Sequence, residues 1–215
     1  MNKQLWVVED ELAPTGADGR QLTERGARTR ERLLRAAESV FAALGYHDAS
    51  IVKITEAAEV GQGTFYLYFG SKKQIFDELV IDLNRRVRRA MSEHSETATT
   101  RIARERAGFQ GYFRFASEHP ALYRIIRLAE TVSPEVLREH YRRISQGYMT
   151  GLAEAMESGD IAAGDPEVLA WMLMGIGEIV GMRWVSWGTT SAVPDDVFDQ
   201  MYQFVTRGLG AEETP

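Results

Sequence analysis

The stretch from Ser50 to Lys72 constrains this chain more than any other. Ile51, Ile54 and Ala57/Ala58 recur at helical spacing, but the run is short and ends near Glu59. Val60-Gly61-Gln62-Gly63 then forms a tight, glycine-bearing connection. A further helix starts near Gln62 to Thr64 and runs to about Phe69, with Phe65 and Phe69 four apart on its inner face. Gly70-Ser71 breaks it. Ser50 is placed to cap the first of the two helices, because its hydroxyl accepts a free amide in the first turn. Two short helices joined by such a turn make a helix-turn-helix.

The rest of the chain reads as helix after helix. Residues 24–44 carry Leu33, Ala37, Val40, Phe41 and Leu44 at helical spacing, and Gly45 stops the run. A helix from Lys72 to about His94 follows, then segments near 101–118, 120–129, 134–157, 166–188 and 194–208. The junctions are His119-Pro120, Ser133-Pro134, Gly159-Asp160, Asp165-Pro166 and Val193-Pro194. Ser133 and Asp165 each precede a proline suited to the first helical position. No region alternates as a half-buried strand does. The expected fold is all-α, with about nine helices: an N-terminal three-helix helix-turn-helix module followed by a C-terminal bundle. Residues 1–23, which include Pro14, Gly16 and Gly19, read as a flexible arm. Residues 24–71 are the expected helix-turn-helix domain, its linking helix continuing to about 86, and 72–210 the second domain.

Charge is distributed unevenly. The 215 residues carry a net charge of −6, yet residues 20–76 hold nine Lys/Arg against six Asp/Glu. A locally basic module in an acidic protein is the asymmetry expected when one part meets phosphate. With no cysteine, disulfides and thiolate metal sites are excluded. His47, His94, His119 and His140 form no metal-ligand spacing, so no metal is expected. Gly175, Gly177 and Gly181 follow no strand and have the wrong spacing for a dinucleotide fingerprint. No nucleophile–base pair stands out, and the expectation is a non-enzyme without cofactor. The start of the chain lacks a signal peptide's apolar core, and no run of about 18 apolar residues predicts a membrane span. The expected compartment is the cytoplasm.

The second short helix is polar and aromatic on its outer side: Gln62, Thr64, Tyr66 and Tyr68 all carry hydrogen-bonding groups. Ser50, Lys53 and Lys72 flank it as phosphate donors, and Arg28, Arg30, Arg32 and Arg35 lie on the first helix. Polar residues that simply face water have the same pattern, so periodicity alone leaves both readings open. The order of residues is more specific. Ala57-Ala58-Glu59-Val60-Gly61-Gln62-Gly63-Thr64-Phe65-Tyr66-Leu67-Tyr68-Phe69-Gly70-Ser71-Lys72 resembles the signature of the TetR family of transcriptional regulators. Thr29 to Ala37 and Phe41 to Tyr46 resemble that family's first helix. The resemblance spans about residues 25–80. It implies DNA contacts by Gly63, Thr64 and Tyr66, the last at phosphate, and base reading by Gln62, Leu67 and Tyr68. It also implies a phosphate-binding Lys72, with Ser50 and Lys53 near the DNA backbone. Glu59 stands where the family has glycine, and Gly61 where a serine-like cap is common, which suggests that Gly61 absorbs the turn one step later.

For the remainder, the resemblance implies a homodimer on a pseudo-palindromic double-stranded operator; from the hydropathy, no membrane association is expected. It also implies repression relieved by a hydrophobic small molecule; control by a protein partner is the alternative. Tyr112, Phe113, Phe115, Trp171, Met174, Glu178 and Met182 are the candidate pocket residues. Aromatic and methionine stripes of this kind also build ordinary cores. Gly177 and Gly181 make a flat strip for a neighbouring helix, either across a dimer seam or inside the chain.

Overall fold

The computed structural model describes residues 15–211. Among them are nine α-helices and no β-strand: α1 Glu24–Asp48, α2 Ile51–Ala57, α3 Gln62–Tyr66, α4 Lys72–Ser95, α5 Arg101–Glu118, α6 Leu122–Val132, α7 Pro134–Ser158, α8 Pro166–Gly181 and α9 Asp195–Gly208. A π-helical turn, Met182–Ser186, extends α8. The all-α expectation is met, and most boundaries follow local chemistry. Thr23, Ser50, Thr100 and Asp165 each accept a first-turn amide as N-cap. Pro166 sits at the start of α8, where its missing N–H is not needed. Gly45 has φ 76° inside α1, so the regular helix stops there and a short turn to Asp48 follows.

The described chain forms two compact units. One comprises residues 15–83 and 121–140, the other 84–120 and 141–211. The division differs from the expected boundary after residue 71, because α6 packs on α1.

In the first unit, α1 packs on α2 and α6, and α2 packs on α3. Leu33, Phe41, Ile54, Phe65, Phe69 and Phe76 are fully buried. Each such side chain contributes roughly 1.5–3 kcal/mol by leaving water. Rings lock α1 to α4: Phe41 meets Phe76 edge-on at 5.1 Å, and Tyr46 meets Phe76 at 5.3 Å. At the end of α6, Ser133 donates to Asp77 Oδ1, while Lys73 Nζ reaches Ser133 Oγ at 3.1 Å and Asp77 at 2.7 Å.

In the second unit, α5 packs against α8 and its π-helical extension. Gly177 lies so close to Phe109 that a Cβ there would come within 3.0 Å of the ring. That glycine therefore serves packing inside the chain. Phe113 stacks near Phe109 and meets Phe198 of α9 edge-on at 6.2 Å. Arg101 and Glu105 form a buried ion pair beside buried Tyr148. Burial pushes the Glu105 carboxyl up against the pull of Arg101, and burial with the Glu105 charge raises the Tyr148 phenol well above its usual range.

Candidate nucleic-acid interface

The short α3 stands on buried supports. Phe65 points inward, and Arg30 lies over the Phe69 ring at 5.2 Å while pairing with Glu78 of α4. Ser71 accepts the Gln74 amide at 3.1 Å, and the Gln74 side chain returns to accept the Gly70 amide at 2.7 Å. This reciprocal arrangement is close to a capping box and starts α4 directly after the reader.

On that frame Gln62, Gly63, Tyr66 and Leu67 are exposed and Thr64 is half-buried. Tyr66 is 51% and Leu67 64% accessible, high values for apolar bodies. Ser50 caps α2 by accepting the Lys53 amide at 3.2 Å. Lys53 is exposed and donates to the Asp48 carbonyl at 3.0 Å. Tyr68 departs from the expected base-reading position, because it is buried. The helix ends at Tyr66, short of the expected Phe69, but the Tyr68 and Phe69 amides both bond back to the Phe65 carbonyl at 2.9 and 3.0 Å, so the turn after α3 carries Tyr68 inside with Phe65 and Phe69.

Lys72 is also differently engaged. Its ammonium donates to the carbonyls of Tyr46 (2.8 Å), His47 (3.3 Å) and Ala49 (2.8 Å). It also sits 4.5 Å from the centre of the Tyr46 ring. An ammonium has three donors, and all three close the end of α1. Burial raises the Tyr46 phenol above its usual range, with Lys73 lowering and Asp77 raising it. The arginines of α1 are mostly internal braces. Arg30 pairs with Glu78, and Arg35 with Glu31, Glu38 and Asp82. Arg28 alone of the four pairs only on the surface, with Glu24 at 3.5 Å.

The connection between α2 and α3 resolves the unusual Glu59. Its φ is 51°, the left-handed conformation that favours glycine. Gly61 does not absorb the turn: with φ −72° and ψ 152° it is the extended N-cap of α3, with no side chain to cap it. The turn keeps the geometry suited to glycine while holding glutamate. Arg32 compensates by donating Nη2 to the Ala58 carbonyl at 2.5 Å and to the Glu59 carbonyl at 3.3 Å. Sequence reasoning missed this brace, since nothing in the spacing joins Arg32 to residues 58–59. Glu59→Gly is expected to raise stability by about 1 kcal/mol, and Gly61→Ser by a further few tenths. Chemical denaturation checks both; a loss of stability in Glu59→Gly would contradict the strain assigned to this turn.

The seven pocket candidates do not converge. Phe113 faces Phe198, whereas Phe115 stacks on His119 at 4.2 Å and under Arg86 at 5.3 Å. Residues two apart on α5 point to different sides, which separates them. Met182 is buried, Tyr112 and Met174 are half-buried, and Trp171 is 47% exposed. Glu178 accepts from the Tyr141 hydroxyl at 2.9 and 3.0 Å rather than pairing with an arginine.

Comparison with known proteins identifies the module that carries this site. The profile described as bacterial regulatory proteins, tetR family, matches residues 33–79. The HTH-type transcriptional regulator YdgC of Bacillus subtilis is 44% identical over 68 residues, 32% of this chain and 35% of that protein. That match therefore spans about a third of its relative's length, over a stretch the size of one DNA-reading module. The fatty acid metabolism regulator protein of Bacillus subtilis is 28% identical over 160 residues, 72% of this chain and 82% of that one. Among solved structures, the transcriptional regulator FadR from Bacillus subtilis in complex with stearoyl-CoA superposes with a TM-score of 0.72 at 22% identity, covering 83% of this chain and 98% of the other. That likeness concerns the fold. Residues 33–79 thus carry the helix-turn-helix module of the tetR family of bacterial regulatory proteins, within an all-α fold similar to that of solved TetR-family structures.

Proposed function

We propose that the chain is a cytoplasmic, sequence-specific DNA-binding regulator that acts as a homodimer and represses until a hydrophobic small molecule releases it. The observation that carries this reading is the outer face of α3, where Gln62, Gly63, Tyr66 and Leu67 stand exposed above a buried aromatic frame. A major groove about 12 Å wide admits such a helix. Gln62 suits adenine, Leu67 suits a thymine methyl, and the Tyr66 hydroxyl and Lys53 suit phosphate. The test starts from a duplex selected out of a random pool by the wild-type protein. Gln62→Ala is expected to relax preference at one base step, worth about 1–3 kcal/mol, while Tyr66→Phe weakens all duplexes alike. Equal, sequence-independent losses in both would overturn the base-reading role.

The dimer rests on α8. Val168, Trp171, Met172 and Ile179 are exposed, with Gly175 among them, at helical spacing along one face. Ala170, Leu173, Gly177 and Gly181 are buried. Phe204 of α9 is 68% exposed. Although the sequence holds no unbroken apolar run of that length, the segment 166–186 is long and apolar enough to cross a membrane by length and composition, and a third of its most apolar 18-residue window is buried. A second copy laid on the exposed stripe would cover it and hold two readers one helical turn of DNA apart, about 34 Å.

The effector is read from the relative solved with stearoyl-CoA. Tyr112, Met174 and Glu178, half-buried between core and surface, are the side chains proposed to meet it. An effector releases DNA only by favouring one dimer state. Stearoyl-CoA titrated into the preformed protein–duplex complex is expected to free the duplex; retention at saturating ligand would leave acyl thioesters out.

A further inference from the structure

Residues 15–21 lie just before α1, where the sequence suggests a flexible arm; residues 1–14 of that arm lie outside the described residues. Instead of trailing, 15–21 form a closed turn. Thr15 and Gln21 make an antiparallel bridge, Gly16 N–H donates to the Arg20 carbonyl at 2.9 Å, and Gly19 N–H donates to the Gly16 carbonyl at 3.0 Å. The turn is fastened to the reader, since Ala17 N–H donates to the Leu67 carbonyl at 2.9 Å. The fit is close: a Cβ on Gly16 would come within 3.1 Å of the Leu67 oxygen. Leu67 ends α3 and is among its most exposed side chains.

Docking in this way holds the backbone of Arg20 close to the end of α3, since the Arg20 carbonyl accepts from Gly16, next to the Ala17 amide that bonds Leu67. The Arg20 side chain is 88% exposed, and its ionic partner is Asp18, 58% exposed, at 3.6 Å. An exposed pair of that geometry holds an arginine only weakly. The turn lies one hydrogen bond from the end of the recognition helix, and the side chain can extend well beyond the turn.

We propose that the 15–21 turn is a second DNA-contacting element, in which Arg20 binds a backbone phosphate flanking the groove segment met by Tyr66 and Leu67. The inference rests on the DNA-reading function proposed above. Asp18 plays the opposing part: it occupies Arg20 in the free protein and repels phosphate in the complex. Counterion release makes the role measurable, because each phosphate neutralised adds about 0.9 to the slope of log K against log salt.

The experiment uses full-length protein and the duplex selected by the wild type. Arg20→Gln is expected to weaken binding about tenfold in low salt, independently of sequence, and to lower the salt slope by about one per protomer. Asp18→Asn is expected to tighten binding several-fold. Gly16→Val, which displaces the turn from Leu67, is expected to reproduce the Arg20→Gln loss with helicity unchanged. A wild-type slope retained in Arg20→Gln, with Gln62→Ala still altering base preference, overturns this proposal and leaves the DNA-reading function standing. Loss of preference at one base step in Arg20→Gln overturns the phosphate contact in favour of groove reading. A wild-type protein that selects no duplex overturns both.

Discussion

Ile179→Asp should leave a folded single chain that no longer dimerises. The side chain is 58% exposed in the isolated chain, so the helix itself loses little. Its place in the proposed seam is different. In a two-fold interface each substitution acts twice, because the same surface meets its own copy. Burying an isoleucine contributes roughly 1.5–3 kcal/mol per copy, and that is forfeited on both sides. Two carboxylates would also be brought into an apolar contact with no cation in the stripe formed by Val168, Trp171, Met172 and Gly175, and a buried unpaired charge is opposed more strongly than a lost methyl group. Sedimentation at micromolar concentration is expected to show single-chain mass with unchanged circular dichroism. Affinity for the selected duplex should fall by about 10²–10⁴, the gain that linking two half-site contacts supplies. A variant that remains dimeric and binds DNA as the wild type does would move the seam away from α8.

Much of this architecture is legible in sequence because its determinants are local. Ser50, Asp165, Pro166 and Gly45 act on their own first or last turn, and each stands where the chemistry of caps and stops requires. Phe65 and Phe69 reveal the inner face of α3 by spacing alone. Tyr68 was open to misreading for an equally local reason: it lies at the three-residue spacing from Phe65, and a hydroxyl does not decide which side of a short helix is wet. What the sequence hides is long-range. The Arg32 brace on residues 58 and 59 joins positions 26 and 27 apart. The Asp77–Lys73–Ser133 cluster joins α4 to the end of α6, some 60 residues on. Both depend on packing that no periodicity encodes. The same is true of α6, whose apolar face matches α1 only once the chain is folded. For the pocket candidates, composition points to aromatic and methionine residues but not to direction, and α5 sends Phe113 and Phe115 to different neighbours.

Lys72→Met provides the sharpest separation between a phosphate contact and a structural clamp. Resemblance to the family suggests the former, whereas the hydrogen bonds place the ammonium on three carbonyls at the end of α1. Methionine keeps most of the aliphatic stem and removes every donor. The Tyr46, His47 and Ala49 carbonyls then lose a cationic partner, and hydrogen bonds to a charged group are worth about 1.5–3 kcal/mol. The contact with the Tyr46 ring adds roughly 0.5–1 kcal/mol at such a site. A lowered melting temperature, by several degrees, is therefore expected without any DNA present. DNA affinity should also fall, because α1, α2 and the start of α4 meet at this clamp and set the attitude of α3. The salt dependence separates the causes. If Lys72 acts through position, the slope of log K against log salt stays at its wild-type value. Lys53→Met is the control. That side chain is exposed, makes one hydrogen bond at 3.0 Å to Asp48, and should lower the slope by about one per protomer with little change in melting. A Lys72→Met protein that melts as the wild type does but loses slope would place this ammonium on DNA phosphate instead, and α1 would need another explanation for how its last carbonyls are satisfied.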